Sequence, residues 1–442
     1  MTAILRRARF FNSSVFTSTS GARTLGGIQS EQTMLEKNLS STCLPSFQPD
    51  SPQKTMRQRR KRVPLRPANS INYLALMKNC IGKDLSKIPM PVDFNEPLSA
   101  LQRATEDLEY SHLLDSAGTE HANPTRRLAL VAAFAISTYS TTGMRTTKPF
   151  NPMLGETFEC DRRVDKSWRS LAEQVSHHPP TYALYAEGKS WILNQSYTIT
   201  TKIKGRSLCV QPVGSTYLRF LDNNDLFVFG KVCTSSTMTN IVSGRLQTDN
   251  YGDLVIFNST TGDKCMLKFH EQGGLFSREV ARKVSGTVID AASKPKYRVE
   301  AIWDQYANIY HLDSNENVKP EERLWTANKP PKNFDKMHSF TEFAIELNEL
   351  EPGVAPTDSR LRPDQRLMEN GEWTEANLVK QKLEETQRRR ANSEKRSLPI
   401  WFDTKREEEM VDKNDVYVFT GDYWTKKEQQ DWSQCPKIFS VE

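Results

Sequence analysis

No stretch of this chain approaches the roughly 18 uninterrupted apolar residues that a membrane-spanning helix needs. The most apolar run, Leu128 to Ile136, is about half as long and reads as a buried helix. Paired cysteines are missing too. Cys43, Cys80, Cys160, Cys209, Cys233, Cys265 and Cys435 are scattered, odd in number, and form no Cys-x-x-Cys. That argues against a zinc site or a secreted disulfide framework and for a reducing compartment. The chain has no nucleophile elbow, no metal-ligand cluster, no P-loop glycine spacing and no internal repeat. We therefore expect neither an enzyme nor a metal or other cofactor. Acids are absent before Glu31, whereas Arg6, Arg7, Arg9 and Arg23 are present, a transit-peptide-like composition that leaves a mitochondrial address as one alternative.

What is present is charge, 26% of the 442 residues, with a net +6 and only 37% hydrophobic content. This suits a soluble protein with polar extensions, and any membrane contact would be peripheral. Arg57-Gln58-Arg59-Arg60-Lys61-Arg62 puts five positive charges into six residues. Such a run suits an anionic membrane surface, a nuclear address or a solvated linker. Nucleic acid is not expected, because no recognised nucleic-acid fold signature accompanies it.

Residues 1–65 read as a disordered, Ser-rich basic extension. From Ser70, Leu74, Met77, Ile81 and Leu85 recur at helical spacing, and Ile88-Pro89-Met90-Pro91 then forces an extended apolar strip. An amphipathic helix with a stiff apolar arm fits a hinged cover, and equally an ordinary packing helix. Helices are expected near 98–116 and 124–139, the second apolar almost all round. Beyond Phe150 come short strands such as Ser190–Leu193, Tyr197–Ile203, Leu226–Phe229 and Leu254–Phe257, with Asp249 to Asp253 as a turn signal. No helix-length pattern interrupts them. The expected fold is thus mainly β with flanking α, a large antiparallel barrel with space inside for a ligand. A charged helix near 374–396 and a tail with Trp401, Trp424 and Trp432 close the chain.

Three segments could carry chemistry. In Glu173-Gln174-Val175-Ser176-His177-His178-Pro179-Pro180 the prolines remove backbone donors and stiffen the path after two imidazoles. Two surface histidines in a turn would look the same. The turn-rich stretch from Lys148 to Phe158 offers a lysine suited to phosphate, Asn151 as a hydrogen-bonding group, and Glu156 to orient the turn or pair with a base. On the late helix Lys380, Glu384 and Arg388 fall at i, i+4 and i+8. Glu384 can hold both neighbouring cations, as in an ordinary ion-pair ladder, and Arg388-Arg389-Arg390 leaves the register open by one residue.

Together these motifs identify a resemblance. Residues 70–439 resemble the lipid-binding domain of the oxysterol-binding protein family. The resemblance rests on Glu173 to Pro180, the Lys-Pro-x-Asn-Pro-x-x-Gly-Glu element from Lys148 to Glu156, and the Leu-Glu-Glu-x-Gln-Arg stretch from Leu383 to Arg388. Met77 to Lys83, Phe94 to Ser99 and Pro356 to Arg366 also match, in the family's order. The opening and the close, Asp431 to Phe439, are most similar to the founding, sterol-handling branch. The resemblance implies an incomplete antiparallel barrel around an apolar tunnel, under a lid formed by residues 66–97. Residues 98–350 would make the helices and barrel core, and 351–442 a helical, Trp-rich subdomain. It implies a sterol in the tunnel, exchanged for phosphatidylinositol 4-phosphate between membranes, with a sterol- and phosphoinositide-responsive sensor as the alternative. Lys148, Asn151, His177, His178, Lys380 and Arg388 would grip the headgroup and Glu384 would order them. Leu74, Met77, Ile81, Leu85, Ile88 and Met90 would line the lid. The protein would be cytoplasmic and peripheral on endoplasmic reticulum, Golgi or contact-site membranes. Longer members add an amino-terminal phosphoinositide-binding domain and a two-phenylalanine acidic motif. Neither is seen in this sequence, which therefore reads as a short form. Thr386 stands where the family often has lysine.

Overall fold

The computed structural model describes residues 57–66, 91–145, 147–204, 207–240, 245–272, 280–313, 318–392, 399–405 and 416–440. Leu74, Met77, Ile81, Leu85, Ile88 and Met90 lie outside these, so the lid reading falls beyond the described residues.

In chain order the strands are β1 Asn95–Ser99, β2 Lys148–Phe150, β3 Thr157–Arg162, β4 Trp168–His177, β5 Pro180–Gly188 and β6 Trp191–Lys204. There follow β7 Ser207–Phe220, β8 Leu226–Phe229, β9 Cys233–Asn240, β10 Arg245–Asn258, β11 Lys264–Phe269 and β12 Lys283–Ile289. The series ends with β13 Pro295–Ile302, β14 Tyr306–Leu312, β15 Val318–Thr326, β16 Phe402–Lys405 and β17 Val416–Phe419. The helices are α1 Ala100–Thr105, α2 His112–Gly118, α3 Pro124–Ser137, α4 Glu342–Leu347, α5 Pro363–Glu369, α6 Trp373–Asn392 and α7 Tyr423–Gln429.

Strands β3 to β15 form one 13-stranded antiparallel sheet in near-sequential order, with β9 branching between β7 and β10. The end strands β3 and β15 do not pair with each other, so the barrel is incomplete. Helix α3 packs against β10 to β15 and is buried along almost its whole length, as its apolar sequence requires. Asn123 starts it by accepting the Arg126 amide at 3.0 Å, and Pro124 occupies the first turn, where no backbone donor is needed.

Strands β4 and β5 are buried on both faces, which fixes the segment that ends at His177. Ala172, Tyr182 and Leu184 join the main core, while Leu171, Val175, Ala183 and Tyr185 alternate to the other side. There Trp401, Phe402, Phe419, Tyr423 and Trp424 cover them. The aromatic tail is thus a second core laid on the sheet's outer face.

Three expectations need correction. Asp249 to Asp253 is no turn but the middle of β10, whose partner changes there from β9 (through Tyr251) to β11 (from Gly252). Gly252 takes φ 127° at the hand-over, and Asp249 uses its carboxylate to accept the Gln272 amide at 2.7 Å. The helix expected over 98–116 breaks into α1, a 3-10 turn over Glu106–Tyr110, and α2. Glu106, Asp107 and Glu109 are buried within that turn. Each reaches its own partner: Arg145, Lys231, and Asn328 with Thr341 respectively.

The basic run, read as a free address or solvated linker, is held against the protein. Arg57 donates to the Leu350 carbonyl at 2.7 Å and Arg60 to the Ile345 carbonyl at 2.6 Å. Glu351 pairs with Arg57 and Arg59, and Glu369 with Arg60. Val63 is buried in the main core. Order therefore begins within the stretch assigned to the extension. Among the described residues no helix is long and apolar enough to cross a membrane.

Candidate functional site

Lys148 stands at the head of β2, which pairs in parallel with β1. The Asn95 amide donates to the Lys148 and Pro149 carbonyls at 3.2 and 3.1 Å. Behind this pair the fully buried Glu96 is ringed by Arg145, Arg103 and Thr147. Lys148 itself is exposed. Desolvation by the protein around it, followed by repulsion from Lys380, pushes its ammonium below the usual lysine range.

The loop after β2 is built around Glu156. Its fully buried carboxylate accepts the Met153 amide at 2.9 Å, the Ser359 hydroxyl at 2.6 Å and the Arg362 guanidinium at 3.1 Å. Burial raises its pKa, with Arg362 opposing. Arg362 also donates to the Asn151 carbonyl at 2.8 Å and pairs with Asp364. The turn between Pro356 and Arg366 thus serves the Lys148 loop from more than 200 residues away. Gly155 has φ 76°, the left-handed conformation that glycine adopts without strain, and its amide reaches Gln174 on β4. The Asn151 side chain remains exposed.

The His-His-Pro-Pro motif is a tight hairpin. β4 ends at His177, β5 begins at Pro180 opposite it, and the His178–Pro179 peptide is cis. The imidazoles meet edge to face at 4.8 Å. His178 is exposed. His177 is half-buried, and burial, with help from His178, pulls its pKa down to about 4. The Pro152 carbonyl opposes that shift from outside hydrogen-bonding geometry, since His177 Nδ1 is buried without a partner. Glu173, four residues upstream, does not face the imidazoles. Its buried carboxylate accepts the Ile400 and Trp401 amides, each at 2.9 Å, and burial raises its pKa to about 7.

Helix α6 supplies the third side. Trp373, Ala376 and Leu383 pack inward, Leu383 with Met153 and Ile438. Lys380 is nearly buried and paired with Glu384 at 2.5 Å. Arg388 is exposed. Arg389 lies about 180° around the helix from Lys380, whereas Arg388 lies about 80° away. Arg389 turns back to Thr386 and Arg390 caps the Lys437 carbonyl. Arg390 lies as far round from Lys380 as Arg388 does, on the opposite flank, but its guanidinium is engaged by the Lys437 carbonyl.

Lys148, Lys380 and Glu384 act on one another electrostatically, and Glu384 also acts on His177. The structure thus gathers loop, hairpin and helix at one mouth. Two residues in that assembly escape sequence reasoning: Arg362, and Gln387, which hydrogen-bonds to both Leu154 and His177. Gln387 was detectable, since seven residues from Lys380 places it within about 20° of the same helix face. Nothing local marks Arg362 as Asn151's partner. Chemically, the segments that meet here carry two lysines and a half-buried histidine, with Asn151 and His178 exposed beside them in the chain. That set suits a multiply charged anion.

A family model described as oxysterol-binding protein matches residues 72–428. Oxysterol-binding protein 2 of Mus musculus is 46% identical over 422 residues, covering 89% of this chain and 46% of that protein. Oxysterol-binding protein-related protein 1C of Arabidopsis thaliana is 40% identical over 398 residues, covering 86% of this chain and 47% of that protein. The Osh1 ORD domain, solved in complex with cholesterol, aligns with a TM-score of 0.78 at 32% identity, over 95% of this chain and 100% of that one. The Osh3 ORD from Saccharomyces cerevisiae, solved with PI(4)P, aligns at 0.74 with 30% identity, over 86% of this chain and 99% of that one. The chain spans about half the length of the curated relatives it matches.

Proposed function

The chain belongs to the oxysterol-binding protein family, and from that premise we propose that it carries a sterol inside its sheet and exchanges it for phosphatidylinositol 4-phosphate between membranes. Structural relatives solved with a sterol and with a phosphoinositide support both ligands. The observation that carries the second ligand is the mouth itself. Lys148, Asn151, His178 and Arg388 are exposed residues, on segments held by Arg362, Gln387 and the Lys380–Glu384 pair, which supports reading them as headgroup donors. A headgroup with several phosphate oxygens wants donors from separate segments, and their fixed placement lowers the ordering cost of binding. The apolar lipid body would gain roughly 25 cal/mol for each Å² removed from water. His177, neutral and already hydrogen-bonded, suits recognition rather than base catalysis.

The test is extraction from liposomes. Lys148→Ala combined with His178→Ala should abolish phosphatidylinositol 4-phosphate extraction while sterol extraction continues. Equal loss of both from a folded variant would count against separate determinants for the two ligands. Movement of labelled sterol between vesicle populations separates a carrier from a sensor, since a sensor would bind without net transfer.

A further inference from the structure

Two of the scattered cysteines meet in the fold. Strand β9 lies between β7 and β10, with Cys209 of β7 opposite Ser235 and Tyr251 of β10 opposite Cys233. Cys233 donates its S–H to the Tyr251 hydroxyl at 3.6 Å. Cys209 lies 3.9 Å from that same oxygen and 3.7 Å from the Ser235 hydroxyl. A phenol has one O–H to give and lone pairs to receive, so Tyr251 can accept from Cys233 while donating to Cys209. Strand alternation puts Thr234 and Asn250 on the other face of the sheet, where Asn250 donates to Thr142 just past α3. Both cysteines are thiols, Cys209 buried and Cys233 partly exposed.

The surroundings suit thiol chemistry. Lys202 of β6 is directly opposite Cys209 and exposed, so an ammonium group shares their face. Asp249, opposite Ser235, is an acid on that face, already accepting the Asn250 and Gln272 amides. The thiolate is the attacking form of cysteine, and cations and hydroxyl donors are what steady it. Burial instead pushes the Cys160 thiol up to about 12 and raises those of Cys265 and Cys435. Cys209 and Cys233 stand one diagonal step apart, roughly 7–8 Å between Cα atoms in a regular sheet. That is just past the usual disulfide span of about 4.4–6.8 Å, so a bridge needs a small strand shift. The pairing of β9 with β7 is short, covering Ser207 to Val210. A bridge under such tension belongs to the readily reduced class, which a reducing compartment can undo.

We propose that Cys209 and Cys233 form a peroxide-sensitive modification site, in which Cys233 meets the oxidant and Cys209, beside Lys202, closes a reversible bridge from β7 to β9. The oxidant is hydrogen peroxide. Cys233 Sγ, its proton released, attacks one peroxide oxygen; the O–O bond breaks, and the departing hydroxide takes a proton and leaves as water. Cys209 Sγ then attacks the sulfenic sulfur of Cys233; the S–O bond breaks and a second water leaves. Two thiols thus lose two electrons and two protons, and one peroxide becomes two waters.

The experiment treats the full reduced chain with hydrogen peroxide, alkylates the remaining thiols, and maps non-reduced peptides by mass spectrometry. A peptide pair linked through Cys209 and Cys233 should appear about tenfold faster than any oxidation at Cys160 or Cys265, and should vanish with dithiothreitol. Linkage no faster than oxidation of Cys160 would overturn the proposal. So would sulfinic acid at Cys233 with Cys209 still open to alkylation. These readings need no variant. In Cys209→Ser, dimedone should trap a sulfenic acid at Cys233, whereas in Cys233→Ser the Cys209 thiol should survive the treatment. The reverse pattern in two folded variants would overturn the order of attack. Lys202→Gln should slow closure about threefold or more, and an unchanged rate would overturn the part given to its ammonium.

Discussion

Glu173 makes an unusual prediction, because the motif's acid is a structural group whose charge is costly. Its carboxylate is fully buried and accepts two backbone amides, yet burial still lifts its pKa from 4.5 to about 7. The folded chain therefore holds this proton more tightly than the unfolded chain does. Stability from this group is present below about pH 4.5 and is lost as pH rises toward 7. At pH 8 nearly the whole gap is felt, on the order of 3 kcal/mol, and at pH 5 less than about 1 kcal/mol. Glu173→Gln removes the titration but can satisfy only one of the two amides with its oxygen. Its NH2 then opposes the second amide, at a cost of about 1–3 kcal/mol.

The balance should thus change with pH. The variant is expected to be less stable than wild type by about 1 kcal/mol at pH 5, and equal or more stable at pH 8. Urea unfolding followed by tryptophan fluorescence at the two pH values measures it, since all other titrating groups are common to both proteins. The difference between the two chains should move by about 2–3 kcal/mol in favour of glutamine. A movement below about 1 kcal/mol would refute the claim that Glu173 is charged at its own expense.

Two further perturbations test the supports of the mouth. Arg362→Ala strips the cation from Glu156 and Asp364, both fully buried. It should cost about 3–5 kcal/mol and lower the melting temperature by roughly 5–15 °C, with partial recovery in the double variant Arg362→Ala, Glu156→Gln. A calorimetric shift below about 2 °C would show the loop is held otherwise. Glu349→Lys with Glu351→Lys reverses the acids that hold Arg57 and Arg59. Tryptic cleavage after Arg57 to Arg62 should then accelerate about fivefold or more, and 0.5 M salt should reproduce part of that effect in wild type. An unchanged cleavage rate would mean the ion pairs contribute nothing to holding the segment.

Most of the architecture was legible because period-2 patterning survives wherever one strand face is apolar. It failed where polar residues serve another element. Asp249, Asn250 and Gly252 carry every mark of a turn. Instead Gly252 permits a change of strand partner and Asp249 caps the Gln272 amide. Glu106, Asp107 and Glu109 likewise look like the solvated side of a helix, yet all three are buried against partners far along the chain. Composition cannot distinguish an acid facing water from one facing Arg145, since the partner is 39 residues away. The basic run failed for the mirror reason, because the acids that hold Arg57, Arg59 and Arg60 lie near residues 349 to 369.

The mouth divides along the same line. Groups with exposed reactive ends, such as Lys148, His178 and Arg388, were legible because their residue types state their chemistry. The groups that hold their segments were harder to read, because Arg362 and Gln387 act on main-chain atoms or on one imidazole across the fold. The motifs are nevertheless what each of these reaches. Arg362 lies in the Pro356–Arg366 stretch and meets the Lys148 loop; Gln387 lies in the late-helix stretch and meets both that loop and the histidine hairpin. The Lys148 loop and the late helix thus each contain a residue that presents chemistry and a residue, Glu156 or Gln387, that grips another motif. Separate stretches can keep one mouth only if both kinds are present. Substituting a gripping residue should therefore disturb the mouth as surely as substituting a presenting one, though it removes no charge from the opening.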